Sequence, residues 1–241
     1  MEIRIFDTAE QVGQAAAVLL AAQLLRKPDS VLGLATGSSP IPTYTCLIDL
    51  NRRGVVDFSR VTTFNLDEYV GISESHKCSY HRFMNEQLFD HVNIRREAVH
   101  VPNGNAPDLA VEGAAYDAAI RAAGGIDLQL LGIGRNGHIG FNEPGASFIY
   151  GCHEVKLSQS TIDANKRFFA SEADVPRSAI SLGIGSIMNA RQVLLIATGE
   201  DKADAVYEAI HGDVTPQVQA SILRTHPDVI FLLDKAAAKR L

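Results

Sequence analysis

The chain has 241 residues, of which 46% are hydrophobic and 21% charged, so it can bury a sizeable core and is not a disordered composition. Its 22 basic and 28 acidic residues give a net charge of −6, and an acidic chain without a long basic block is a poor candidate for nucleic-acid binding. The three cysteines, Cys46, Cys78 and Cys152, form no disulfide framework and no cysteine metal motif, so a reducing cytoplasm fits best. The N-terminus has no signal sequence, and the apolar run 15–25 is too short to span a bilayer.

Alternating strand and helix patterns run from the N-terminus. Residues 2–6 alternate and are β-branched, which predicts a strand, and Thr8 is placed to cap a helix over residues 9–26. Residues 31–35 form a short continuous apolar run, which is typical of a strand buried on both faces.

A loop rich in glycine and hydroxyl groups, Thr36-Gly37-Ser38-Ser39-Pro40, follows that strand and leads into a helical pattern over residues 42–52. Loop amides and the positive end of a helix dipole together make an anion site. The loop matches neither the Walker A pattern nor the dinucleotide pattern Gly-x-Gly-x-x-Gly. An ordinary N-capped turn is the alternative, but two hydroxyls and a glycine exceed what a cap needs, so we favour a phosphate site.

Two adjacent carboxylates, Asp67 and Glu68, stand where the next predicted strand, residues 61–65, ends. They could be a general base and its support, or a helix N-cap with a first-turn acid, and the pattern leaves both open. Apolar side chains at helical spacing over residues 79–90 predict core packing, and an alanine-rich helix is predicted over residues 109–123.

The stretch 130–144 concentrates the candidate chemistry. It begins at the end of a predicted strand, residues 126–132, breaks at glycines, and brings Asn136, His138 and Glu143 within eight residues. A strand that runs into a loop delivers such side chains to the carboxyl edge of a sheet, where ligands of open α/β sheets bind. A glycine-rich turn with a surface histidine is the alternative.

The last third of the chain adds a lid and a second anion site to the prediction. Residues 158–178 are polar and irregular and contain Arg167, and a loop this long in a compact domain is often a lid. After a buried strand over residues 193–197, Lys202 lies in the first turn of a predicted helix. A cation there opposes the helix dipole, which an anionic ligand would explain. A final strand is predicted over residues 229–233.

The regular alternation predicts a single α/β domain over residues 1–241. Its core is an open, mostly parallel, doubly wound sheet with helices on both faces, a Rossmann-like three-layer arrangement, with the lid at about 158–178. The candidate site groups follow strands, except for one on the lid. An anion cradle with basic clamps beside a carboxylate base and a histidine suits proton transfer on a sugar phosphate, without metal or cofactor. The candidates are Thr36, Gly37, Ser38, Ser39, Asp67, Asn136, His138, Glu143, Arg167 and Lys202.

Three strings resemble the glucosamine-6-phosphate deaminase (isomerase) family. They are FNLDEYVG at 64–71, NGNAPD at 103–108 and GHIGFNEP at 137–144, and the resemblance covers essentially the whole chain. It implies an enzyme of amino sugar catabolism that converts glucosamine 6-phosphate and water reversibly to fructose 6-phosphate and ammonia.

The resemblance also implies a role for each candidate. Asp67 would take the C2 proton of the substrate and return it at C1, and His138 would open the pyranose ring. Glu143 would orient or charge-balance His138. The phosphate would be bound by Thr36, Gly37, Ser38, Ser39, Arg167 and Lys202.

Two departures from the family pattern change these expectations. Asn136 replaces an aspartate, and because an amide cannot offset an imidazolium charge, Glu143 becomes the expected counter-charge. His153 and Val155 replace basic residues of the allosteric, hexameric branch, and the longer C-terminal tail of that branch is missing. We therefore expect no activation by N-acetylglucosamine 6-phosphate. We expect a cytoplasmic monomer or small homo-oligomer with no nucleic-acid or membrane partner.

Two other functions stay open. One is a 6-phosphogluconolactonase, which has a related fold and a similar phosphate site, although the string at 137–144 and the segment around Asp67 argue against it. The other is a sugar-phosphate-sensing module without turnover. Such modules usually accompany a DNA-binding segment, and none is visible in this acidic chain.

Overall fold

The computed structural model describes residues 1–169 and 171–241, in which strands and helices alternate. The strands are β1 (Glu2–Phe6), β2 (Val31–Leu34), β3 (Thr62–Asn65), β4 (Asp67–Tyr69), β5 (Val99–His100), β6 (Leu128–Leu131), β7 (His153–Lys156), β8 (Ser178–Ser181), β9 (Gln192–Ala197) and β10 (Val229–Asp234). The α-helices are α1 (Ala9–Arg26), α2 (Ile41–Arg52), α3 (Tyr80–Gln87), α4 (Leu109–Ala122), α5 (Gln159–Asn165), α6 (Ile184–Met188) and α7 (Ala203–His211). Short 3-10 helices cover Phe89–His91, Arg96–Ala98, Lys166–Phe168, Glu172–Asp174, Glu200–Lys202 and Gln219–Thr225.

The main sheet is parallel and doubly wound, as predicted. In the described part of the chain its seven strands have the order β1-β10-β9-β6-β2-β3-β5, and every neighbouring pair is parallel. The chain runs outward from β2 to β3 and β5, and then returns to the other side of β2 as β6. The strand order therefore reverses between β2 and β6. The carboxyl ends of the strands at such a reversal are where open α/β sheets bind their ligands.

Helices cover both faces of this sheet, because its central strands are apolar on both sides. Along β2, Leu32 and Leu34 pack in a core with α1, α2 and α3, whereas Val31 packs in the opposite core with α4, α6 and α7. Successive side chains of a strand point to opposite faces, so a continuous apolar run serves both cores. The predicted three-layer fold is thus confirmed.

A second, smaller sheet was not anticipated, so the prediction of one sheet was incomplete. Among the described residues, β4, β8 and β7 form an antiparallel sheet in that order, in which Asp67 pairs with Ser181 and His153 pairs with the same residue from the other side. The segment after β3 is therefore a strand. The alternative of a helix N-cap at Asp67 is excluded, because Ser79 caps α3.

The predicted lid segment, residues 158–178, is mostly short helix and not one irregular loop. It contains α5, capped by Ser158, and the 3-10 helices Lys166–Phe168 and Glu172–Asp174. Ala170 lies outside the described residues. Ile162 and Phe169 pack with β4 and β8 in a third apolar cluster. This packing fixes the segment against the small sheet, beside the carboxyl ends of the main one.

Candidate active site

A cavity of about 270 Å³ opens at the carboxyl edge of the main sheet, at the reversal between β2 and β6. Its wall includes the residues that directly follow β2, β3, β6 and β9, together with α5 and the 3-10 helix after it. Nine of the ten residues predicted for the site line this cavity, and the tenth, Glu143, contacts two of them. The nine are Thr36, Gly37, Ser38, Ser39, Asp67, Asn136, His138, Arg167 and Lys202.

The loop 36–39 forms one wall of the cavity at the N-terminus of α2. The N-cap of α2 is Pro40, which provides no side-chain hydrogen bond, so the serine hydroxyls do not serve as caps. Gly37 has φ +98°, a left-handed conformation that glycine adopts without strain. The geometry therefore argues against an ordinary N-capped turn. It leaves the hydroxyls of Ser38 and Ser39, with the positive end of the helix dipole, available to an anion.

Two cations face this loop across the cavity. Lys202 ends the 3-10 helix Glu200–Lys202 that precedes α7, and Arg167 lies in the 3-10 helix after α5, with its guanidinium 4.7 Å from the centroid of the Phe168 ring. Burial lowers the pKa of the Lys202 ammonium; Asp201 opposes this shift, and the neighbouring positive charges of Arg135 and Arg167 add to it. An anion in the cavity would offset both effects, as expected for a phosphate clamp.

Asp67 lies at the bottom of the cavity, where β3 passes into β4. Its side chain is 5% exposed, and in the described part of the chain no hydrogen bond reaches its carboxylate. Burial, and then the charge of Glu68, raise the pKa of Asp67 to about 8. A buried carboxyl with a raised pKa is a stronger base when ionised, which suits a group that must remove a proton from carbon.

Glu68 points away from the cavity and is a structural support. Its carboxylate accepts the backbone N–H groups of Tyr69, Tyr80 and His81 at 2.8, 3.0 and 3.0 Å. The last two belong to the first turn of α3, whose N–H groups have no partner within the helix. Glu68 therefore fastens α3 to the strand that carries Asp67.

The imidazole of His138 and the carboxylate of Glu143 face each other at the side of the cavity. His138 Nδ1 lies 3.6 Å from Glu143 Oε2, and both side chains are mostly buried. The imidazole packs directly over Gly134, where any Cβ would come within 2.3 Å of the ring. Glycine at this position is thus a requirement of the ring's placement, and the tight turn from Gly134 to His138 carries the ring into the cavity.

Asn136 supports Glu143, and its amide makes no hydrogen bond to the imidazole ring within the described residues. Its Nδ2 donates to Glu143 Oε2 at 2.7 Å, and its Oδ1 accepts the backbone N–H of His138 at 3.2 Å. Burial opposes the ionisation of Glu143, but His138, Thr161 and Asn136 together outweigh it and lower the pKa of Glu143 to about 2. Glu143 is therefore a fixed negative charge beside His138.

Four residues of this arrangement were not singled out from the sequence. The Ser158 backbone N–H and the Thr161 hydroxyl both donate to Glu143 Oε1 from the first turn of α5. The spacing Ser-x-x-Thr was a readable N-cap signal, but nothing in it indicated a partner fifteen residues away. Tyr80 and Arg135 also line the cavity. The sequence pattern predicted core packing for Tyr80 and a loop position for Arg135.

The described residues contain no cluster of three or more histidine, cysteine, aspartate or glutamate side chains that could hold a metal ion. No helix within the described ranges combines the length and apolar content needed to cross a bilayer. What the cavity offers is acid–base and anion-binding groups.

Comparison with known proteins identifies relatives over the whole chain. A chain from Clostridioides difficile named glucosamine-6-phosphate deaminase is 51% identical over 241 residues, covering 100% of this chain and 97% of the relative. A chain of the same name from Thermoanaerobacter pseudethanolicus is 51% identical over 238 residues, covering 99% of this chain and 94% of the relative.

Solved structures agree with these relatives. A monomeric glucosamine-6-phosphate deaminase superimposes with a TM-score of 0.97 at 43% identity, and 99% of each chain is covered. The 6-phosphogluconolactonase of Trypanosoma brucei, at 20% identity and a TM-score of 0.77, covers 100% of this chain and 98% of its own and shares the fold. The sequence model of the glucosamine-6-phosphate isomerases/6-phosphogluconolactonase family matches residues 6–231, and the chain belongs to this family.

Proposed function

We propose that this chain is a glucosamine-6-phosphate deaminase that isomerises glucosamine 6-phosphate and releases ammonia, giving fructose 6-phosphate. One observation carries the proposal beyond family membership. A single cavity holds a cationic phosphate cradle together with Asp67, a buried carboxyl that is otherwise without a partner among the described residues. Glucosamine 6-phosphate carries both a phosphate and an amine, so its two charged ends match these two parts. A lactone substrate without an amine would leave Asp67 without a counter-charge.

Phosphate binding fixes the substrate for the chemistry. Lys202, Arg167 and the loop 36–39 bind the phosphate at C6, far from the carbons that react. Binding energy gained at that remote end positions C1 and C2 against the catalytic groups. Each step proposed below is assigned to a side chain of this site, and none is assigned to a metal or a cofactor.

Asp67 is the proposed base for the isomerisation. Its carboxylate removes the proton from C2 of the open-chain substrate and returns it at C1, which passes through an enol-type intermediate. One carboxylate can serve both carbons because they are adjacent. A positioned acid–base group of this kind contributes roughly 10²- to 10⁴-fold to the rate. Ammonia leaves from C2 as water adds.

His138 is the proposed catalyst of ring opening. It moves a proton between the ring oxygen and the C1 hydroxyl, because an imidazole can act as acid and base within one cycle near neutral pH. Glu143, ionised over the whole range of working pH, stabilises the imidazolium that forms. Asn136, Ser158 and Thr161 support Glu143 and complete this half of the site.

Ammonia release tests the proposal directly. Purified protein is incubated with glucosamine 6-phosphate, and ammonia and fructose 6-phosphate are measured in the same samples. The proposal expects both products in equal amounts. Hydrolysis of 6-phosphogluconolactone without ammonia release would instead indicate a lactonase, and tight binding of the amino sugar phosphate without any product would indicate a sensing module.

We further propose a monomer that is not activated by N-acetylglucosamine 6-phosphate and acts in the cytoplasm. The relative of known structure at 43% identity is described as monomeric. Val155 is buried in the apolar cluster with β4 and α5, so its side chain offers no charge to an effector phosphate. Hyperbolic kinetics that are unchanged by N-acetylglucosamine 6-phosphate, and a monomeric mass in light scattering, are the expected results.

A further inference from the structure

We propose that Arg135 is a third cationic residue of the phosphate subsite, oriented by Asp201 so that its terminal nitrogens bind the phosphate of the substrate. The inference rests on the proposed function in that it extends the phosphate subsite of the same cavity. Arg135 follows β6 in the loop that also carries Asn136 and His138, and it lines the cavity beside Arg167 and Lys202.

The ion pair of Arg135 sets the orientation of its guanidinium. Nε lies 2.7 Å from Oδ2 of Asp201. In the part of the chain that the structure describes, the other two guanidinium nitrogens have no hydrogen-bond partner. Held through Nε alone, a guanidinium presents the fork of its two terminal nitrogens, which is the geometry that binds phosphate oxygens in pairs.

The position of Asp201 links this arginine to the proposed phosphate-binding residue Lys202. Asp201 immediately precedes Lys202 in the 3-10 helix Glu200–Lys202. The turn that places the Lys202 ammonium at the cavity therefore also places the carboxylate that holds Arg135. Gly199, which precedes this helix, is also held in place: its backbone N–H donates to both carboxylate oxygens of Asp234, at 3.1 and 3.0 Å.

The charges in this corner favour a dianion. Burial lowers the pKa of the Lys202 ammonium, the charge of Asp201 opposes this shift, and the positive charges of Arg135 and Arg167 both lower the pKa further. A phosphate bound among three cations removes their mutual repulsion and gains charge-assisted hydrogen bonds.

The test measures binding of inorganic phosphate by calorimetry, which does not depend on turnover. Arg135→Gln is expected to raise the Kd for phosphate about tenfold, the effect of losing one charge-assisted contact. KM for glucosamine 6-phosphate should rise by a similar factor, with kcat changed much less. Arg135→Lys keeps the charge and loses the fork, so its Kd for phosphate should lie between those of the unmodified protein and of Arg135→Gln. The side chain of Arg135 is 55% exposed, so neither variant threatens folding.

Arg53→Gln is the matched control. Arg53 also forms an exposed ion pair, with Asp49 at 3.3 Å, but it lies at the far end of α2 from the phosphate loop. A helix of twelve residues is roughly 18 Å long, beyond the Debye length of about 8 Å at physiological salt. This variant should leave the Kd for phosphate within twofold of the unmodified protein.

Two outcomes separate the inference from the proposed function. If Arg135→Gln leaves the Kd for phosphate within twofold, as the control does, Arg135 is not part of the subsite, whatever the protein catalyses. If phosphate binding depends on Arg135 but glucosamine 6-phosphate yields no ammonia, the subsite stands and the deaminase assignment fails.

Discussion

Asp67→Asn should make the protein more stable at alkaline pH while removing its activity. The reason is the proton affinity of the buried carboxyl. Burial, and then the charge of Glu68, raise the pKa of Asp67 from its ordinary value of 3.8 to about 8. Below pH 3.8 the folded and unfolded chains both hold the proton. Between the two values the unfolded chain releases it and the folded chain does not, so the stability of the native protein falls as the pH rises, and above about pH 8 the loss is complete.

The size of this loss follows from the interval between the two pKa values. Each unit corresponds to about 1.4 kcal/mol, so the full interval corresponds to about 6 kcal/mol. This figure is an upper limit, because water in the cavity can reach one side of the carboxylate and solvate it. Asparagine has nearly the same shape and never ionises. As the pH rises from 4 to 9, the free energy of unfolding of the variant should therefore increase relative to that of the unmodified protein by on the order of 3–6 kcal/mol.

Urea unfolding followed by circular dichroism, at one-unit steps from pH 4 to pH 9, measures this gain. Asp213→Asn is the control, because Asp213 is an exposed aspartate in the loop after α7. The control should track the unmodified protein at every pH. A difference between Asp67→Asn and the unmodified protein that stays within 1 kcal/mol across the range would refute a raised pKa at Asp67. Ammonia release by Asp67→Asn should fall by at least about 10²-fold.

The raised pKa of Asp67 also predicts how turnover depends on pH and on the charge of the substrate. With a pKa of about 8, only a minor fraction of Asp67 is ionised at pH 7. The protonated amine of glucosamine 6-phosphate, bound next to it, favours the carboxylate and lowers that pKa. For this reason kcat/KM, which reports the free enzyme, should rise from pH 7 to pH 9, whereas kcat should level off at a lower pH.

Three further variants test the supports of the site. Glu68→Ala leaves one buried and two part-buried N–H groups without an acceptor, and at about 1–2 kcal/mol each the free energy of unfolding should fall by about 3–6 kcal/mol; a fall below 1 kcal/mol in urea titration would contradict a role for Glu68 in holding α3 against β4. Glu143→Gln keeps an acceptor but removes the charge beside His138, so kcat should drop about 10²-fold with KM little changed, and a kcat within threefold would exclude the charge-balancing role. Cys78→Ala removes the thiol's hydrogen bond to the carbonyl oxygen of Phe168, 3.0 Å away, and should raise KM about threefold, while Cys78→Ser should restore it.

The parallel sheet could be predicted because its central strands are buried on both faces. Runs such as 31–35 and 193–197 are apolar without alternation, and only a strand between two helical layers satisfies that pattern. Some of the helices also begin at readable caps, as α1 does at Thr8 and α4 does at Asp108. Local sequence and tertiary burial demand the same structure in these elements, and prediction therefore succeeds.

The small sheet could not be predicted for the opposite reason. β4 has three residues and β7 has four, so neither run is long enough to show a period. In β7 only Val155 is buried. Asp67 lies in β4, and two carboxylates after a strand are equally compatible with a helix start. The distinction depends on Ser181, more than a hundred residues away, which pairs with Asp67 across the sheet. Local sequence carries no trace of that partner.

The position of the site could be predicted, but the connections within it could not. The strand order brings residues 36–39, 67 and 136–143 to one edge, and loops at the carboxyl end of a parallel sheet must converge there. Which side chain touches which is set by tertiary packing. The sequence predicted that Asn136 cannot offset an imidazolium charge and that Glu143 is the counter-charge, but it did not indicate that the Asn136 amide donates to Glu143. That contact explains how an amide is tolerated at this position, since the charge beside the imidazole resides on Glu143.

These connections join the two halves of the proposed chemistry through the segment 158–169. Its first turn holds Glu143 through Ser158 and Thr161, and its end carries Arg167 to the phosphate subsite. A phosphate that draws Arg167 inward therefore also fixes the turn that aligns Glu143 with His138. We expect binding energy from the phosphate to be transmitted in this way to ring opening, at a carbon that the phosphate does not contact. Removing the phosphate should therefore lower kcat as well as raise KM. Glucosamine without phosphate, even at saturating concentration, should turn over far more slowly than glucosamine 6-phosphate.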